Sequence, residues 1–131
     1  MKLKKHDMHL YEYSIIRFLP QVEREEFFNI GVIVFCKQSK FINAKFYVDK
    51  AKFDLFKTEI EFRDLIDYIQ AFENIALGKA QSGPIAKMEV SERFRWLTAV
   101  RSSCIQTSRP HPGRTLDLDA LTTQLFHENI L

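Results

Sequence analysis

Residues 13–36 read YSIIRFLPQVEREEFFNIGVIVFC, two apolar runs on either side of a charged loop. The first run, from residue 10 to 19, is rich in Tyr, Ile and Phe and stops at Pro20, as a strand does. A two-residue period puts Tyr11, Tyr13, Ile15 and Arg17 on one face. Arg17 therefore stands among apolar and aromatic neighbours, where a guanidinium needs a carboxylate or a ligand anion. Glu23, Glu25 and Glu26 are carboxylates close by in sequence; a bound anion is the other solution. The second run, residues 30–36, is apolar at every position and predicts a central strand covered on both faces. Gly31 weakens such a strand unless a bulge or a close backbone approach requires it. Between the runs, residues 21–29 form a longer connection than hairpins usually have, and long loops on a rigid sheet often carry function. The same residues also fit one solvated helical turn with Phe27 and Phe28 tucked beneath it.

Working outward, residues 37–40 predict a hairpin turn. Residues 41–48 then alternate, with Ile42, Ala44, Phe46 and Val48 on a face that helices cover. Asp49 can cap a short helix that reaches Phe56. Thr58 and Glu61 have the spacing of a capping box that opens the longest helix. Phe62, Leu65, Ile66, Ile69, Phe72 and Leu77 follow a helical period within it, and Gly78 ends it. This stripe reads as core rather than as a binding surface. After a loop at 80–86, Ser91 caps a third helix that runs to about residue 100, with Phe94, Trp96 and Leu97 inward. Residues 102–108 return as a fourth strand, and residues 109–114 make an irregular basic loop. Thr115 or Asp117 caps a last helix with Leu118, Leu121, Leu125 and Phe126 facing in. The expectation is an α+β fold, an antiparallel sheet of about four strands with three to four helices packed mainly on one face. Residues 1–9 form a basic lead-in, and residues 10–131 form one domain.

The totals agree with that size of fold. A chain of 131 residues fits one domain with a core of its own. Its twelve Phe predict an aromatic core, or a core together with an aromatic contact surface. The net charge of +2 selects no partner, but its distribution is uneven. Between residues 85 and 114 six Lys or Arg face only Glu89 and Glu92. Cys36 and Cys104 lie in apolar runs and read as reduced core thiols, which places the protein in the cytoplasm. The polar N-terminus does not resemble an export signal, and no apolar run approaches the ~20 residues that span a bilayer. His6 and His9 are three apart but lack further ligands, so neither a metal nor another cofactor is expected.

No catalytic motif identifies a reaction. Ser102, Ser103, Cys104, His111 and Asp117 supply the residue types of nucleophilic catalysis without its characteristic spacing. Glu23, Glu26 and Asp49 lack the arrangement of a two-metal site, and no phosphate-binding glycine motif is present. Catalytic residues are therefore not assigned. What remains is recognition. Arg93, Arg95, Arg101 and Arg109, with the hydroxyls of Ser102 and Ser103, could ring a phosphate or carboxylate, and Phe94 and Trp96 could stack on a base. The candidate binding residues are Arg17, Arg24, Glu26, Asn29, Arg95, Arg101, Ser102, Arg109 and His111. An anion site requires that Arg24, Arg95, Arg101, Arg109 and His111 converge on one concave surface; otherwise these arginines pair with Glu23, Glu25, Glu89 and Glu92.

Two blocks carry a resemblance. Arg17-Phe18, Val22-Glu23-Arg24, Glu26-Phe27 and Asn29-Ile30-Gly31-Val32-Ile33 form the first. Arg93-Phe94, Leu97, Arg101-Ser102, Gln106, Ser108, His111, Gly113, Thr115 and Asp117 form the second. Together they resemble the bacterial family named domain of unknown function 3037, over nearly the whole chain after the lead-in. The chain departs from that pattern at Glu25, where a glycine commonly precedes the Glu corresponding to Glu26. The resemblance implies a small bacterial protein of a kind often encoded beside a HipA-like kinase-fold protein, an association that suggests a two-protein module of the toxin–antitoxin or regulatory kind. The leading expectation is a non-catalytic domain that binds and modulates such a partner. The alternative is a phosphate- or nucleic-acid-binding domain, in some form a small enzyme, that uses the arginine-rich surface.

Overall fold

The computed structural model describes residues 8–100 and 103–131. The charged loop does separate two long antiparallel strands, β1 (His9–Phe18) and β2 (Phe28–Cys36). A turn closed by the Lys40 N–H on the Lys37 carbonyl leads into β3 (Phe41–Phe46), which pairs with β2. The other edge of β1 is shared by two short strands. β4 (Ile105–Thr107) pairs with its C-terminal end and β5 (His111–Thr115) with its N-terminal end. The result is an antiparallel five-stranded sheet in the order β3-β2-β1, with β4 and β5 end to end along the far edge of β1. Residues 109–114, expected as irregular loop, thus largely form a strand. Prolines 110 and 112 hid it, but an edge position tolerates a missing N–H donor.

The break between β4 and β5 falls at Ser108, which continues the ladder with its side chain. Its N–H donates to the Ile15 carbonyl at 2.8 Å, and the Ile15 N–H donates to the Ser108 hydroxyl at 2.8 Å. The hydroxyl takes the place of a backbone carbonyl, so no buried donor of β1 is lost where the edge strand bends.

A bulge in β2 decides which side chains reach which face. Gly31 pairs with Ile16, but Asn29 pairs with Arg17, so Ile30 is the extra residue. Phe28 and the bulged Ile30, and Ile33 and Phe35 beyond them, consequently all point to one face. Val32, Val34 and Cys36 point to the other. Gly31 is required on two counts. A Cβ there would lie 2.7 Å from the Lys45 carbonyl oxygen and 2.7 Å from the Phe46 ring.

Among the described residues, three of four helices cover the first face, as expected: α1 (Lys50–Asp54), α2 (Phe62–Ala76) and α3 (Val90–Leu97). Their contact with the sheet is largely aromatic. Phe18 stacks on Phe53 at 5.6 Å, Phe35 on Phe94 at 4.8 Å, and Phe46 meets Phe72 edge-on at 5.7 Å. This is where most of the phenylalanine goes. The fourth helix, α4 (Leu118–Asn129), closes the second face with Leu118, Leu121, Leu125 and Phe126. Asp117 caps it by accepting from the Ala120 N–H at 3.0 Å. β2 is therefore buried on both sides.

The helix starts differ in detail. The box that opens α2 lies three residues later than expected, because the Glu61 N–H donates to the Asp64 carboxylate at 2.9 Å. Glu89 rather than Ser91 precedes α3. Ile66 of α2 and Leu77 just past its end, both expected in the core, are 41% and 44% exposed. Leu65, Ile69 and Ala76 supply its core stripe instead.

Candidate functional site

Two clefts adjoin at β4 and share the lining residue Gln106. The first, of about 410 Å³, lies between α2, the end of α3 and β4; Tyr68, Phe72, Ile75, Trp96, Leu97 and Cys104 line it. It exists because α2 carries a second apolar stripe beside its core stripe. Tyr68, Phe72 and Ile75 recur at the four- and three-residue spacings that place side chains on one helical flank. Tyr68 is 47% exposed, and Trp96, expected inward, is 39% exposed. The Cys104 thiol sits in this apolar lining, and burial pushes its pKa up despite an opposing backbone hydrogen bond.

The second cleft lies at the C-terminal end of β1, under the loop of residues 21–29. Arg17, Leu19, Val22, Glu25, Phe27 and Gln106 contribute to it. Arg17 shares the face of Tyr13 and Ile15, as its spacing predicts, between its cross-strand neighbours Asn29 and Gln106. Its guanidinium carbon lies 4.3 Å from the centre of the Phe27 ring. Among the described residues no carboxylate pairs with it, although three glutamates stand nearby in sequence. Its Nε is buried without a hydrogen-bond partner. Glu26 is taken by Arg24, 2.8 Å away. The loop holds its course with Glu25 at φ 57°, in the left-handed region. The turn that a glycine would favour thus survives with a glutamate in it. Asn29 reaches across to α4, where its amide donates to the Asn129 carbonyl at 3.3 Å.

The remaining candidates are dispersed. Arg95 lies over the first face, where its guanidinium donates to both carboxylate oxygens of Glu12 at 3.0 and 2.6 Å. That hydrogen bonding raises its pKa further, against a lowering by burial. The Phe94 and Phe35 rings lie beneath it, at 5.4 and 5.8 Å. His111 packs on Tyr13 at 5.3 Å, on the opposite face of the sheet. Arg109 is exposed on the bend between β4 and β5, and Arg24 is on the distant loop. Arg101 and Ser102 lie outside the described residues. Of the nine, the structure brings Arg17 and Asn29 together and pairs Arg24 with Glu26; Arg95 lies on the opposite face of the sheet, and His111 is on the face of Arg17 but further along β1, beside Tyr13. The aromatic cleft was missed because the apolar period of α2 satisfied a core reading; the signal was the second stripe at Tyr68, Phe72 and Ile75.

Elements of catalysis are sparse among the described residues. The Ser39 hydroxyl and His9 Nδ1 are 2.8 Å apart, with the Cys36 thiol 3.6 Å from the same hydroxyl. None of the three lines either cleft. No group of three or more His, Cys, Asp or Glu among the described residues is placed to hold a metal ion. No helix among them is long and apolar enough to cross a membrane.

Neither the curated proteins nor the solved structures give a match to this chain. A family model, Protein of unknown function (DUF3037), matches residues 13–130, from the middle of β1 to the end of α4. That span takes in both clefts and every element that builds them, and the chain belongs to the DUF3037 family.

Proposed function

We propose that this protein is a non-catalytic interaction domain that binds a partner protein through the aromatic cleft between α2, α3 and β4. The observation that carries the reading is the second apolar stripe of α2. It leaves Tyr68 half-exposed beside Phe72, Ile75 and Leu97, in a recess large enough for one bulky side chain. Aromatic groups with an apolar body and a polar tip are enriched in interfaces, and central apolar pockets hold most of the binding energy there. The family resemblance makes a HipA-like kinase-fold protein in the cytoplasm the first partner to try, with this domain as its regulator. The arginine-rich surface has less to recommend it. Arg95 is engaged by Glu12 and Arg24 by Glu26, and His111 faces away from Arg95.

Co-expression with the neighbouring kinase-fold protein tests the reading. Tyr68→Glu puts a charge into the cleft, and Leu55→Glu, at a residue 83% exposed on the α1 side, serves as the control. The partner is expected to co-purify with the wild type and with Leu55→Glu and to be lost from Tyr68→Glu. Retention by all three forms would overturn it.

A further inference from the structure

We infer that the partner presents an acidic side chain to Arg17, across the β4 edge from the apolar side chain that fills the aromatic cleft. This rests on the interaction reading above and adds the chemistry of the bound segment. The first support is the state of Arg17. A guanidinium carries five N–H donors in its plane, and stacking on Phe27 uses only its face. The in-plane donors are left without a protein acceptor among the described residues, and the buried Nε has no partner. Leaving such a group unpaired is costly, and a carboxylate matches its fork in geometry and charge.

The second support is position. The Arg17 cleft lies on the α4 face of the sheet and the aromatic cleft on the α2–α3 face, and Gln106 of the edge strand β4 lines both, so one extended segment that crosses this edge, advancing about 3.3 Å per residue, can reach both. The loop's own charges do not compete for Arg17. Glu26 is paired with Arg24, and Glu25 lines the cleft without an ion pair among the described residues. Glu25 opposes an incoming carboxylate, so its removal is expected to strengthen the recognition rather than weaken it.

The test is selection from a displayed library of random peptides on immobilised wild type, Arg17→Met, Glu25→Gln and Tyr68→Glu, followed by affinity measurement of the enriched peptides. The wild type is expected to enrich a bulky apolar residue with an Asp or Glu close by. Arg17→Met is expected to keep the apolar preference and bind the acidic peptides about tenfold more weakly, the loss of one charge-assisted bond. Glu25→Gln, at an exposed position, is expected to bind them about twofold to fivefold more tightly. Enrichment of the apolar residue without any acidic preference would overturn this inference and leave the interaction reading standing. Peptide preferences unchanged by Tyr68→Glu would overturn the interaction reading itself. If a single-stranded oligonucleotide or inorganic phosphate binds the wild type in an Arg17-dependent way while acidic peptides do not, the cleft serves a phosphate and the inference fails.

Discussion

The Arg95 guanidinium clasps the Glu12 carboxylate with both of its terminal nitrogens, and so joins α3 to the middle of β1. The pair closes over the Phe35–Phe94 stack, so the arginine singled out for ligand binding also braces α3 against the sheet. More than half of the Arg95 side chain is exposed, so water and salt screen the pair. A double-mutant cycle with Arg95→Met and Glu12→Gln is expected to give a coupling of about 0.5–1 kcal/mol, smaller in high salt. A coupling of several kcal/mol would mean that the pair is far better shielded than its exposure indicates.

Glu25 occupies backbone space that suits glycine. A left-handed conformation costs an L-residue about 1–2 kcal/mol, and glycine's greater unfolded freedom offsets about 0.5–1 of that gain. Glu25→Gly is therefore expected to raise stability by about 0.5–1 kcal/mol, read as a higher urea midpoint at unchanged slope. A lower midpoint would show that the Glu25 side chain itself supports the loop.

Gly31 faces the opposite situation. Its absent Cβ is what lets the Lys45 carbonyl and the Phe46 ring close over the bulge. Backbone cannot give way as a flexible side chain can, so Gly31→Ala should destabilise by about 2–3 kcal/mol, in line with overpacked cores. Thermal unfolding would measure it. A change below about 0.5 kcal/mol would mean that the bulge relaxes freely.

Cys104 offers a reporter of the aromatic cleft. Burial raises its pKa above the ordinary thiol value of 9.0, with a smaller opposing effect from a backbone hydrogen bond. The sign follows: the folded form holds its proton more tightly, so this contribution is full below about pH 9 and is lost as pH rises through the elevated pKa. Iodoacetamide at pH 8 should modify Cys104 more slowly than free cysteine, since the thiolate is the nucleophile. Cys36 is fully buried and should react only on unfolding. The stability difference between wild type and Cys104→Ala should shift against the wild type above about pH 9. Labelling of Cys104 as fast as free cysteine would contradict its burial.

How much was legible in the sequence differs between fold and site. β1, β2, β3, α2 and α4 follow apolar periods that packing then satisfied, so their places could be read. β5 could not, because Pro110 and Pro112 argue against a strand and only its edge position beside β1 makes them harmless. Arg17 was placed on the correct face by alternation alone. Its lack of a carboxylate was not legible, since that depended on Glu26 turning to Arg24 and on Phe27 sliding under the guanidinium. The dispersal of Arg24, Arg95, Arg109 and His111 was hidden for a similar reason. Proximity in sequence says nothing about which side of a sheet a helix and an edge strand present.

The most direct measurement replaces Tyr68 with a photo-crosslinkable phenylalanine and illuminates cells that co-express the protein with the kinase-fold neighbour proposed for it. The same group at Leu55, on the α1 side, is the reference. The account predicts one adduct of defined mass from position 68, containing that neighbour, and none from position 55. No adduct from position 68, or equal adducts from both, would contradict the assignment of the aromatic cleft as the binding surface.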